Sequence, residues 1–178
     1  MSEIFNIDAC ILLWIQENLR CGFLDPIMKG ITHLGDGGAV WIAVTVLLLC
    51  FRKTRRAGIA CAASMVIGLL VTNLVLKNWV ARVRPYEVIE GLSILIAKPH
   101  DWSFPSGHTT NSFAAAWVVF TMLPRKYGVP ALILAILIAF SRMYVGVHYP
   151  TDVLGGIAVG CIGAWCARKA VGKYLPEK

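Results

Sequence analysis

The stretch AGIACAASMVIGLLVTNLVL, residues 57–76, runs for 20 residues without a charge, and Lys77, Arg82, Arg84 and Pro85 follow directly behind it. A bilayer core about 30 Å thick asks for roughly 20 apolar residues per helical span. The stretch therefore reads as a transmembrane helix that delivers cations to one membrane surface. Outward from it the pattern repeats. Phe104–Leu123 is another 20 residues interrupted only by His108, and Tyr127–Ser141 continues towards Val147. Gly37–Phe51 is short for a span and extends back towards Ile31, with Asp36 among Gly35, Gly37 and Gly38 placed to cap its helix. Val153–Ala167 is a short span in which Gly156, Gly160, Gly163 and Ala164 make a small-residue face for close helix packing. The predicted fold is all-α: a polytopic transmembrane helical bundle of five spans plus an N-terminal interfacial helix, or six spans.

Composition agrees with that reading. Of 178 residues, 57% are apolar and 15% charged, and the mean hydropathy of +0.67 lies outside the range of soluble domains. Spans of this length leave no room for a soluble catalytic domain. The net charge of +7 sits in short clusters between hydrophobic runs, so nucleic acid is not an expected partner and the bilayer is. Six cysteines without a C-x-x-C pair read as packing residues rather than a disulfide framework or zinc site.

Ile4–Leu19 sets Ile4, Ile7, Ile11, Trp14 and Ile15 at helical spacing beside Glu3, Asp8 and Glu17. It reads as an amphipathic helix at the interface in preference to a sixth span, and it lacks the basic start and cleavage pattern of a secretory signal. The organisation expected is an amphipathic helix within residues 1–24, a catalytic bundle over 27–172 and a cytoplasmic tail over 173–178. Arg52, Lys53, Arg55, Arg56, Arg125, Lys126, Arg168, Lys169, Lys173 and Lys178 fall at alternate span ends, and that side is expected to be cytoplasmic. His33, His100, His108 and His148 fall on the opposite, outward side.

Three clusters on the outward side carry chemistry. In Lys77-x6-Arg84-Pro85, a seven-residue step on a helix returns to nearly the same face, roughly 10 Å further along, and Pro85 ends the helix with Arg84 extended. By itself the pair also fits cations snorkelling at a helix end. In Phe104-Pro105-Ser106-Gly107-His108, a proline at the first helical position leaves the N–H groups of Ser106, Gly107 and His108 to face an anion, with a histidine on the rim; an ordinary proline-initiated helix fits as well. In Ser141-Arg142-x5-His148-x3-Asp152, a carboxylate fixes the tautomer of a histidine and makes it a better nucleophile, while the Arg142 guanidinium clamps an oxyanion; its plainer reading is a capping Asp152 beside an interfacial His148. Ionisable groups at membrane depth are functional by default, and three such clusters on one side strengthen each other. Arg82, Lys98, His100 and Asp101 read as solvated loop charges near them.

The three clusters together resemble the tripartite motif of the type 2 phosphatidic acid phosphatase superfamily, K-x6-R-P, P-S-G-H and S-R-x5-H-x3-D, matched without a substitution across roughly residues 27–172. The resemblance implies a helical bundle and a metal-independent phosphatase with no cofactor, acting on a membrane lipid phosphate through a phosphohistidine. By that matching His148 is the nucleophile, Asp152 orients it, and His108 protonates the leaving oxygen and then activates water. Lys77, Arg84, Ser106, Gly107 and Arg142 bind the phosphate. The compact size resembles bacterial members acting on undecaprenyl diphosphate, the first reading, with phosphatidic acid or phosphatidylglycerol phosphate as the alternative. Two other classes stay open at this point, a vanadate-dependent haloperoxidase and a non-enzymatic lipid-binding protein.

Overall fold

In lipid, a backbone has to satisfy its own hydrogen-bonding groups, and an apolar chain does so by forming helices. The computed structural model describes residues 3–175, and among these there is no strand. Helix α1 spans Glu3–Asn18 and α2 Leu24–Leu34; a 3-10 turn at Asp36–Gly38 leads into α3, Ala39–Cys50. Helix α4, Arg55–Leu69, continues through a π-helical stretch, Leu70–Leu76, into the short α5, Lys77–Val80. The one-turn α6 is Pro85–Val88, and α7, α8 and α9 are Gly107–Met122, Arg125–Tyr144 and Pro150–Tyr174.

Helices α3, α4, α7, α8 and α9 pack against one another as a bundle. Helix α3 starts beside Asp36 and ends before Arg52; α4 starts at Arg55 and leads to Lys77. Helix α7 starts at Gly107 and ends before Arg125, α8 then returns to Arg142, and α9 leaves from Asp152 to reach Lys173. Arg55–Val88, Arg125–Tyr144 and Pro150–Tyr174 are long and apolar enough to cross a membrane, and Leu24–Leu34 with Asp36–Cys50, bent by 47°, makes a fourth if it is one span. Helix α7 begins three residues later than expected, so its 16 residues are about 24 Å long. It compensates by lying at the centre, where Ala114, Ala115, Ala116 and Val118 are fully buried.

The small-residue face of α9 does what its composition predicts. A Cβ on Gly160 would come within 2.6 Å of the Thr110 carbonyl oxygen and 2.9 Å of the Ala114 nitrogen, and one on Gly156 within 2.8 Å of the Ser106 carbonyl oxygen. Only glycine allows α9 to lie this close to α7. Polar side chains tie the same core: Ser64 Oγ donates to the Ala114 carbonyl at 2.9 Å, and Trp41 Nε1 to Ser112 Oγ at 2.9 Å. All six cysteines are free thiols.

Two expectations about helix ends are corrected. Asp36 does not cap α3; Gly38, at φ 74°, is the capping residue, and Gly37 at φ 58° also takes the left-handed backbone that glycine tolerates. Pro85 does not end a helix but starts α6, with Arg84 extended at ψ 151° as expected. Helix α1 packs Leu12 and Ile15 against the site end of the bundle and turns Ile7 and Trp14 outward. Residues 176–178 of the expected tail lie outside the described residues.

Candidate active site

Residues far apart in sequence surround one cavity of about 260 Å³, lined by Lys77, Arg84, Gly107, His108, Arg142 and His148 among others. The route by which Lys77 and Arg84 meet differs from the helical step read in the sequence. The helix ends at Val80, Ala81 takes a left-handed conformation at φ 46°, and residues 81–84 run without helical structure. The pair therefore converges across a non-helical segment and not along one helix face.

The three cations are almost wholly buried: Lys77 is 7% exposed, Arg84 5% and Arg142 3%. Buried charge demands partners, and one carboxylate serves two of the three cations. Asp101 accepts from Lys77 Nζ and, at 2.7 Å, from Arg84 Nη2. Arg84 is further fixed by its Nε on the Asp101 carbonyl at 2.8 Å and its Nη1 on the Val147 carbonyl at 2.7 Å. Burial alone would raise the Asp101 carboxyl, but Lys77 and Arg84 outweigh it and hold it well below the usual carboxylate range. Arg142 Nη1 donates to Thr32 Oγ1 at 2.6 Å, whereas its buried Nε has no partner among the described residues. An anion in the cavity would satisfy that orphan donor.

His148 lies on the five-residue link between α8 and α9, 2% exposed. Its Nδ1 is 3.4 Å from Asp152 Oδ2 and its Nε2 is 3.4 Å from Arg84 Nη1. Because a carboxylate only accepts, the Asp152 contact assigns the proton to Nδ1 and leaves the Nε2 lone pair facing the cations. Burial lowers the His148 imidazole well below its ordinary value; the Asp152 hydrogen bond opposes this, and Arg84 and Arg142 add to it. These surroundings hold the ring neutral. Asp152 is itself locked in place. Its carboxylate accepts from Ser103 Oγ, from the Tyr149 N–H at 2.9 Å and from Arg82 Nη1 at 2.8 Å.

The third motif opens α7. Ser106 is the N-cap: its hydroxyl accepts from Thr109 Oγ1 at 3.0 Å, and its N–H is taken by the Asp152 carbonyl at 3.1 Å. The cavity wall is formed by Gly107 and His108, the first two helical residues, whose N–H groups precede any intrahelical acceptor. Pro105 stands before the cap rather than at the first helical position.

Four acidic or basic residues join the site without having been singled out for it. Asp101, read as a solvated loop charge, is the counter-anion of two site cations. Arg82, read the same way, joins Asp152 to Asp8 of α1, on which Arg82 Nη2 donates at 2.7 Å. Asp8 is 1% exposed and also accepts from the Thr151 N–H at 3.1 Å. Asp36 bonds His108 Nε2 at 2.9 Å and His33 Nδ1 at 2.7 Å. The available signal was an acidic residue inside an otherwise apolar run, at positions 8 and 36.

A bundle with these three motifs around an anion cavity defines a class. Residues 57–175 match the PAP2 superfamily, and the chain belongs to that family. Its sequence is 40% identical over 121 residues to an undecaprenyl-diphosphatase of Sulfolobus acidocaldarius, covering 68% of this chain and 58% of that one, so the chain spans less than two thirds of this relative's length. It is 36% identical over 143 residues to undecaprenyl-diphosphatase BcrC of Bacillus subtilis, covering 78% of this chain and 70% of that one. The fold matches the crystal structure of a transmembrane PAP2-type phosphatidylglycerolphosphate phosphatase from Bacillus subtilis with a TM-score of 0.81 at 28% identity, over 100% of this chain and 90% of that one. Together with the apolar helices, these relatives mark a multi-pass membrane protein.

Proposed function

We propose that the protein is a membrane lipid phosphatase that works without a metal, and that undecaprenyl diphosphate is its substrate. The observation that carries this reading is the neutral His148, held by Asp152 with Nε2 towards a cavity walled by Lys77, Arg84 and Arg142. In the first step Nε2 attacks phosphorus in line, the bond from phosphorus to the leaving oxygen breaks, and His108 gives that oxygen its proton. Charge spreads over the three non-bridging oxygens, where the fixed cations and the Gly107 N–H stabilise it more than in the ground state. In the second step His108 takes a proton from water as water attacks the phosphohistidine, which releases inorganic phosphate and restores both histidines. Three buried cations supply the electrostatics that a metal ion supplies elsewhere.

The lipid character of the substrate is supported by the site's position at the end of apolar helices, with no soluble domain above it among the described residues. The two diphosphatase relatives favour the polyprenyl headgroup. The whole-chain fold match to a phosphatidylglycerolphosphate phosphatase favours the second reading, a glycerophospholipid phosphomonoester. The site faces outward in this proposal, because nine of the cations among the described residues lie at the other end of the bundle. Purified protein in excess EDTA, assayed for phosphate release from undecaprenyl diphosphate, phosphatidic acid and phosphatidylglycerol phosphate, is expected to be fastest on the first. Release from none of them, or an absolute need for added Mg²⁺, overturns the reading. For orientation, an impermeant thiol reagent on intact cells is expected to label Glu90→Cys and to spare Lys53→Cys.

A further inference from the structure

Asp36 lies outside the residues that match the family, in a turn whose sequence Gly35-Asp36-Gly37-Gly38 breaks the path from α2 into α3. The turn is shaped around one side chain of α7. A Cβ on residue 35 would sit 2.7 Å from His108 Cδ2 and 2.9 Å from Ile138 Cγ2, so the imidazole packs on bare backbone. Gly37 and Gly38, both at positive φ, sit at the 47° bend between α2 and α3, where Asp36 meets the ring edge. Its Oδ1 is 2.9 Å from His108 Nε2, while its Oδ2 is occupied by His33 Nδ1 at 2.7 Å.

We propose that Asp36 is the positioning carboxylate of His108, holding Nε2 so that Nδ1 is the nitrogen presented to the leaving oxygen. The inference rests on the proposed phosphatase reaction and adds a residue to it. A carboxylate accepts but does not donate, so Nε2 keeps its proton throughout the cycle. In the imidazolium, Nδ1–H is then the proton that passes to the leaving oxygen, and in the neutral ring the Nδ1 lone pair is the base that receives a proton from water. The two histidines thereby use opposite nitrogens. His148 is held at Nδ1 and reacts at Nε2; His108 is held at Nε2 and reacts at Nδ1. His33 fixes the Asp36 carboxylate from the solvent side, where both side chains are more than half exposed.

The test separates positioning from plain structural support by the leaving group. General acid catalysis supplies about 10²–10⁴ where the leaving oxygen is a poor one, and little where an aryl oxide departs. In single-turnover measurements of leaving-group release, Asp36→Asn is expected to slow a lipid phosphomonoester by at least about tenfold and 4-nitrophenyl phosphate by less than about threefold, with KM unchanged for both. Asp36→Glu recovers part of the loss. Gly35→Ala, which pushes the ring away without touching the carboxylate, reproduces the Asp36→Asn pattern and carries the test if that variant does not fold. Nitrogen NMR of histidine-labelled protein gives a readout that needs no turnover: the neutral His108 ring is a single Nε2–H tautomer in the parent protein and a mixture in Asp36→Ala. A parent protein that releases no phosphate refutes the phosphatase reading while this tautomer result stands. Equal losses with both leaving groups, no loss with either, or an unchanged tautomer in Asp36→Ala overturns the assignment of Asp36.

Discussion

The two ends of the bundle hold cations in opposite ways. At the site end, Lys77, Arg82 and Arg84 are each paired with aspartate and largely buried. At the other end, Arg125 lies over the Phe120 ring at 4.2 Å, Lys126 over Tyr127 at 5.0 Å, and Arg55 reaches the Leu49 carbonyl at 3.2 Å. Every aspartate and glutamate among the described residues belongs to the site end or to the helices and loops packed against it. The difference teaches that a positive residue in a membrane protein is read by its partners. Carboxylates are what the site end adds: Arg82 lies over the Tyr149 ring at 3.7 Å, as the far cations lie over rings, but it also pairs with Asp8 and Asp152.

If that contrast is right, substitutions at the two ends differ by orders of magnitude. The largest effect is expected for Asp152→Asn, which leaves shape but removes the fixed tautomer and the stabilised imidazolium of His148; turnover falls by about 10³–10⁴ while orthovanadate still binds. Arg142→Lys and Arg84→Lys keep the charge and lose the planar fork, so kcat drops by about 10² in steady-state assays. Asp8→Asn probes the outer layer of the same network, and loosening Arg82 behind Asp152 is expected to lower kcat by about tenfold with KM nearly constant.

A pH measurement sharpens the contrast further. His148 has an ordinary value of 6.5 and is lowered by burial in the folded protein. Below that ordinary value the unfolded chain binds a proton that the folded one refuses, so stability is intact above about pH 6.5 and falls as the pH drops beneath it, by at most about 1.4 kcal/mol per pH unit from this group. Thermal unfolding in detergent between pH 7 and 4.5 is expected to show that slope, and His148→Gln to reduce it. At the basic end, Lys53→Gln and Arg125→Gln are expected to leave kcat/KM within about twofold. A loss there as large as at Arg142 would break the comparison.

The sequence carried the helices and the motif residues because each rests on local spacing. The 20-residue apolar run sets α4 and its extension, the Gly156-x-x-x-Gly160 face sets how near α9 comes to α7, and Lys77, Arg84, His108, Arg142 and His148 line one cavity with Asp152 behind His148. What stayed hidden depends on contacts between distant segments. Asp36 meets His108 across 72 positions and Arg82 meets Asp8 across 74, distances over which periodicity carries no information. The step from Lys77 to Arg84 was misread for a different reason. Nothing in Val80-Ala81-Arg82 announces a left-handed alanine, so the default helical step placed both cations on a face that the chain abandons.

The central claim is that His148 carries the phosphoryl group. Rapid quench of the protein with phosphorus-labelled lipid substrate, followed by alkaline digestion that preserves phosphohistidine, tests it directly. The account predicts label on His148, formed within one turnover of the parent protein and absent from His148→Ala. Label retained in His148→Ala, or carried by any other residue of the parent protein, would contradict it.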